Sequence, residues 1–148
     1  MILLDTHVLL WTLAHPDHLG SRTRAAMREA SGVYYSAVSI AEVTIKVMLG
    51  RLGTSEDLAA AAQRAGLQPL PLRPEHAAAI DAFAELFRHD PFDRLLLGQA
   101  YVERCRFLTV DGRLLDLDRI WIDDARHYLA VSLNPQVGPA WAHAQPRY

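Results

Sequence analysis

The stretch ILLDTHVLLWTLA, residues 2–14, changes character once, at Asp5. Ile2, Leu3 and Leu4 form a run with no polar residue, the pattern of a short strand buried on both faces of a parallel sheet. Beyond Asp5 the apolar spacing turns helical and stays so through Leu13. A strand that feeds a helix is the opening of a βα unit. The same passage recurs twice. Val33–Tyr35 reads as a strand, Ser36 as a helix cap, and about 37–49 as a helix stopped at Gly50. Arg106–Val110 reads as another strand, with Asp111 and Gly112 at its end. Strands alternating with helices predict a three-layer α/β/α domain around a central parallel sheet of four or five strands.

The remaining segments fit that scheme. Helices are expected over 21–30, 55–65, 75–88 and from Pro91 to about 104. LQPLPL, residues 67–72, carries two prolines and is read as an edge strand or an extended link. Arg119–Ile122 is expected to be the fifth strand. No internal repeat is present. From Ser132 the chain becomes proline-rich and loses its period, so a domain of 1–131 and an irregular tail of 132–148 are expected.

Composition narrows the function classes. The 148 residues make one domain with a real core. A net charge of −2 means that any nucleic-acid contact must come from a local patch. Lys46 is the only lysine, and the other basic side chains are arginines. A single cysteine, Cys105, excludes an internal disulfide and a cysteine zinc site, and reads as a packing residue. The N-terminus lacks a basic leader and no apolar run is long enough to span a membrane, so a cytoplasmic protein is expected.

The carboxylates carry the chemistry. Asp5 follows the first strand, where ligands bind in parallel α/β sheets; an aspartate there is equally a helix N-cap. Glu42 shares a helical stripe with Val38, Ile45 and Leu49, so a carboxylate sits on an apolar face. It must find a partner there: Lys46 four residues on, or a cation. In HDPFDRLLLGQA, residues 89–100, Pro91 marks the first helical position, which makes Asp90 the cap and Asp93 the third helical residue. A helix docked beside the strand ends would aim Asp93 at Asp5. Asp111 follows the strand of 106–110, as a turn residue or as a further acid at the same mouth, and Thr109 is either strand filler or a hydroxyl there.

Acids thus recur at one end of successive β/α units. Several carboxylates that close together stay ionised only with a cation between them. Oxygen donors suit Mg²⁺ or Mn²⁺. No HExxH, Gly-rich phosphate loop, GxSxG or Cys/His nucleophile pattern competes. His7 reads as a core or surface residue.

Four blocks together, LLDTHVLLW (3–11), SAVSIAEVTIKVMLGRL (36–52), HDPFDRLLLGQA (89–100) and LTVD (108–111), resemble the PIN-domain ribonucleases, and among them the VapC-type toxins of bacterial toxin–antitoxin pairs. The resemblance runs from residue 2 to about 124. It implies a metal-dependent endoribonuclease that hydrolyses RNA with Mg²⁺ or Mn²⁺. It implies that Asp5, Glu42, Asp93 and Asp111 hold the metal, with Asp90 in the same block as a further candidate and Thr109 beside the last acid. It also implies an RNA substrate such as tRNA, a small antitoxin that blocks the site, and a homodimer. Arg94, Arg88 and Arg113 are candidates for holding flanking phosphates. A small-molecule phosphatase and a non-catalytic binding module are the alternatives; His7 stands where a covalent aspartyl phosphatase places its second aspartate.

Overall fold

The computed structural model describes residues 1–53 and 57–127; the expected boundary at 131 and the tail of 132–148 lie outside the described residues. Strands β1 (Ile2–Leu4), β2 (Val33–Ser36), β3 (Gln68–Leu70), β4 (Arg106–Thr109) and β5 (Ile122–Asp124) form one sheet in the order β3-β2-β1-β4-β5. Every neighbouring pair is parallel. The helices are α1 (Thr6–Ala14), α2 (Ser21–Glu29), α3 (Ala37–Met48), α4 (Leu58–Arg64), α5 (Pro74–Ala78), α6 (Pro91–Val102) and α7 (Gly112–Leu115).

Alternation along the strands splits the core into two layers. Leu3 and Phe107 face one cluster with Val38, Leu96, Leu97 and Trp121. Ile2, Leu4 and Leu108 face the other, with Val8, Leu9 and Ala62. Each layer seals one face of the sheet, which is why β1 and the heart of β4 are apolar without a break. The strand order places the site. The chain lays down β1, β2 and β3 in one direction, then returns to add β4 on the other side of β1. Between β1 and β4 the connections diverge, and a crevice opens beyond their carboxyl ends.

Three expectations need correction. The fifth strand is Ile122–Asp124 rather than 119–122, because the ladder pairs Phe107 with Ile122 and Thr109 with Asp124. The stretch read as a helix over 75–88 is a short α5 followed by a 3₁₀ run, Ala79–Leu86, broken at Phe83 (φ −120°, ψ 54°), whose ring is buried in the core. The stripe through Val38, Glu42, Ile45 and Leu49 is buried only over its first half, since Ile45 and Leu49 are exposed.

Helix α6 carries three of the HDPFDRLLLGQA features into the core. Leu96 and Leu97 are fully buried. Gln99 accepts from the Ser36 hydroxyl and donates to the Pro71 carbonyl at 3.2 Å, tying α6 to the end of β2 and to the segment after β3. Gly98 lies against α5: a Cβ at this position would come 2.4 Å from the His76 carbonyl oxygen. Gly98→Ala is therefore expected to force α5 and α6 apart and to destabilise the fold by roughly 1–3 kcal/mol, read from urea denaturation midpoints. An unchanged midpoint would mean that the α5 backbone yields freely.

Candidate active site

The acids reach the crevice from the ends of strands and the starts of helices. Asp5 leaves β1 and caps α1, its Oδ1 accepting from the His7 N–H at 2.6 Å. Asp111 follows β4 and caps α7, accepting from the Arg113 N–H at 2.8 Å. Asp90 caps α6, accepting from the Phe92 N–H at 2.8 Å, and Asp93 stands in the first turn of that helix. Glu42 projects from the middle of α3, whose own cap is Ser36. The two readings of Asp5 and Asp111 are thus not exclusive: each caps its helix through Oδ1 and also lines the crevice.

Asp5, Glu42, Asp90, Asp93 and Asp111 line one cleft of about 890 Å³. Two hydroxyls organise them. Thr109 donates to Asp5 Oδ2 and accepts from the Asp111 N–H at 3.0 Å, linking the acids of β1 and β4. Thr6, which the sequence reading passes over, donates to Glu42 Oε2 at 2.5 Å and lies 3.0 Å from Ser39 Oγ. Lys46 Nζ reaches Glu42 Oε1 at 2.5 Å. The lysine is about half exposed and the glutamate side chain is only 8% exposed, so the pair closes the cleft on the α3 side.

Burial and mutual repulsion set the electrostatics. Burial pushes the Asp5 carboxyl up, and Glu42 adds to the rise, while bonds from Thr109 and the His7 amide hold it down. Asp93 is pushed up to about 7, by burial first and then by the charges of Asp5 and Asp90. The hydrogen bond to Glu42 holds the Lys46 ammonium above its ordinary value. Burial comes first in both aspartates, and the neighbouring carboxylates add to it. A donor set of carboxylate oxygens fits a hard divalent ion.

Of the arginines singled out, Arg113 lines the cleft. Arg88 and Arg94 are not among its lining residues, and the buried Arg94 Nε has no hydrogen-bond partner among the described residues. Arg51 and Arg126 line the cleft instead, Arg126 being held by two bonds of 2.9 Å to Asp124. His7 is exposed on the wall. His89 is the other residue that sequence reasoning misses: its Nε2 lies 2.8 Å from Asp93 Oδ2 and 3.7 Å from Asp111 Oδ2. Its place directly before the Asp90 cap, in the same HDPFD block as Asp93, is the signal that could have found it.

A family model for the PIN domain matches residues 2–120. The chain belongs to the PIN-domain family. The match covers every strand but β5, and all the acids of the cleft. Among curated proteins, this PIN domain is 29% identical over 120 residues to ribonuclease VapC22 of Mycobacterium tuberculosis, covering 76% of this chain and 88% of that protein. Among solved structures, a chain of VapBC2 from Rickettsia felis, bound to a DNA fragment from its promoter, superposes with a TM-score of 0.62 at 14% identity, over 84% of this chain and 98% of that one. A chain of FitAcB from Neisseria gonorrhoeae superposes with a TM-score of 0.56 at 23% identity, over 86% and 99%. Both structures share the fold of this PIN domain. No helix among the described residues is long and apolar enough to cross a membrane.

Proposed function

We propose that this PIN domain is a metal-dependent endoribonuclease, the toxin of a toxin–antitoxin pair. The observation that carries the reading is the convergence of Asp5, Glu42, Asp93 and Asp111, from four separate elements, on one cleft at the β1/β4 switch point. The curated relative is named a ribonuclease, and the structural neighbours include VapBC and FitAcB assemblies, which supports an antitoxin as partner. The substrate is RNA, with tRNA as one candidate, and a homodimer in the cytoplasm is the expected form.

Asp5, Glu42, Asp93 and Asp111 would hold Mg²⁺ or Mn²⁺, with Asp90 at the rim as a further candidate. When bound, the ion supplies Lewis acidity, lowering the pKa of water and offsetting charge on a phosphodiester. The chain's own residues do the rest. Thr109 fixes the orientation of Asp5 and the start of the Asp111 loop. Thr6 holds Glu42. Lys46, Arg51 and Arg113 add positive charge along the cleft, where a polyanion must lie against a cluster of acids.

Millimolar Mn²⁺ is expected to raise the melting temperature of the wild type, because the site exists only in the folded state. Asp5→Asn should lose most of that gain together with cleavage of an RNA substrate. A melting curve unmoved by Mn²⁺, with cleavage that survives EDTA, would rule out the metal-dependent reading.

A further inference from the structure

We propose that His89 is a metal ligand, its Nε2 combining with carboxylate oxygens of Asp93 and Asp111 in a mixed nitrogen–oxygen site that favours Mn²⁺ over Mg²⁺. The inference rests on the metal-dependent reading above and adds to it a nitrogen donor and a preference between ions.

Three ligand atoms, one each from His89, Asp93 and Asp111, lie within 4.8 Å of one another. They come from independent positions: the residue before the α6 cap, the first turn of α6, and the cap of α7. The His89 side chain is only 8% exposed. Its Nε2 lies 2.8 Å from Asp93 Oδ2, yet it makes no hydrogen bond there, nor to any other described residue. The distance is short and the direction is wrong for an N–H donated to that oxygen. A buried ring nitrogen left in this way is unusual, because buried polar groups find partners.

An ion supplies the partner that a hydrogen bond does not. Two atoms bound to one ion at about 2.1 Å lie about 3.0 Å apart at a right angle and about 4.2 Å apart when opposite. The separations of 2.8 Å to Asp93 and 3.7 Å to Asp111 fit ligands that share an ion. Ring nitrogen and carboxylate oxygens then face a common point rather than each other. The donor set also bears on which ion. Mg²⁺ is hard, takes oxygen ligands and keeps several waters. Imidazole adds affinity for first-row transition ions, and Mn²⁺ is the member of that series that also suits carboxylates. The competing account is that His89 is a protonated cation paired with Asp93, with no place in a metal shell.

Pulsed electron paramagnetic resonance on the full chain, stripped with a chelator and loaded with Mn²⁺ alone, separates the two. The wild type should show coupling from a directly bound imidazole ¹⁴N, and the pattern should change to that of ¹⁵N when histidine is labelled. The coupling should vanish in His89→Gln and persist in His7→Gln. In equilibrium titrations the His89→Gln chain should lose Mn²⁺ affinity on the order of tenfold or more, and Mg²⁺ affinity by clearly less. Bound Mn²⁺ with no nitrogen coupling in the wild type overturns the role of His89 and leaves an all-carboxylate nuclease standing. Coupling that survives in His89→Gln also overturns it. Failure of the wild type to bind Mn²⁺ overturns both this inference and the metal-dependent reading. The wild-type spectrum requires no variant, so a poorly folding His89→Gln leaves that arm of the test intact.

Discussion

Asp93→Asn is expected to abolish Mn²⁺-dependent RNA cleavage while making the metal-free protein more stable than the wild type at pH 8. The Asp93 carboxyl is pushed up to about 7 by burial and by the charges of Asp5 and Asp90. In the unfolded chain an aspartate titrates near its ordinary value of about 3.9. Between those two values the native protein holds a proton that the unfolded chain has released, so native stability falls as pH rises from about 4 to about 7. Above that window the folded state carries the whole cost of an ionised Asp93, on the order of a few kcal/mol. Asparagine has no proton to lose. The variant's urea midpoint in EDTA should therefore fall less steeply over the same window, the raised Asp5 carboxyl still contributing, and lie above the wild type at its alkaline end. Asp90→Asn is the contrasting arm. Asparagine caps a helix as well as aspartate, so the bond from the Phe92 N–H survives and stability should change by only a few tenths of a kcal/mol. Cleavage by Asp90→Asn would assign Asp90 to capping, and equal loss in both variants would move it into the ligand set. An Asp93→Asn protein that cleaves RNA, or that is destabilised at pH 8, would break the link between buried charge and catalysis.

The layers and the acids were legible in the sequence for one reason, and the misses have another. β1 and β4 read as buried strands because both faces of the sheet are sealed, and runs such as Ile2–Leu4 and Phe107–Leu108 have no polar position to confuse the period. The acids of Asp5 and Asp111 stood out because each ends such a run. β5 is different. It is an edge strand of three residues, Ile-Asp-Asp, and the buried Asp123 owes its place to Arg106, whose Nε reaches it at 2.7 Å. No local pattern announces a partner 17 residues away. The break at Phe83 is also tertiary: the apolar spacing of 75–88 suits a helix, and packing of the Phe83 ring against Tyr101 and Trp121 accompanies the kink. Strand order, which creates the crevice, has no signature in local spacing. Thr6 and His89 were missed because a threonine after a cap and a histidine before one look like ordinary helix-end residues. Their roles appear only when α3, and the strand-to-helix junction after β4, are brought up to them.

Glu42→Gln is expected to leave the metal-free fold within about 1 kcal/mol of the wild type while removing cleavage by orders of magnitude, through two opposing effects of the charge. The side chain is 8% exposed and its two oxygens are engaged, Oε2 by Thr6 and Oε1 by Lys46, each at 2.5 Å. Glutamine keeps an acceptor for Thr6. It loses the ionic part of the contact with Lys46, but that lysine is about half exposed, and solvent screening limits such a pair to about 1 kcal/mol or less. Against this loss, the charge of Glu42 raises the carboxyls of both Asp5 and Asp93. Removing it relieves repulsion in the metal-free cleft and should lower the apparent pKa of Asp93. Stability is thus nearly balanced, whereas a shared cation loses a ligand outright. Urea denaturation in EDTA, paired with cleavage in Mn²⁺, separates this from a purely structural Glu42. If the glutamate existed to hold Lys46 and Thr6, the variant would lose well over 1 kcal/mol and still cut RNA. That outcome would take Glu42 out of the metal shell and leave Asp5, Asp93 and Asp111, with Asp90 as the further candidate, to hold the ion.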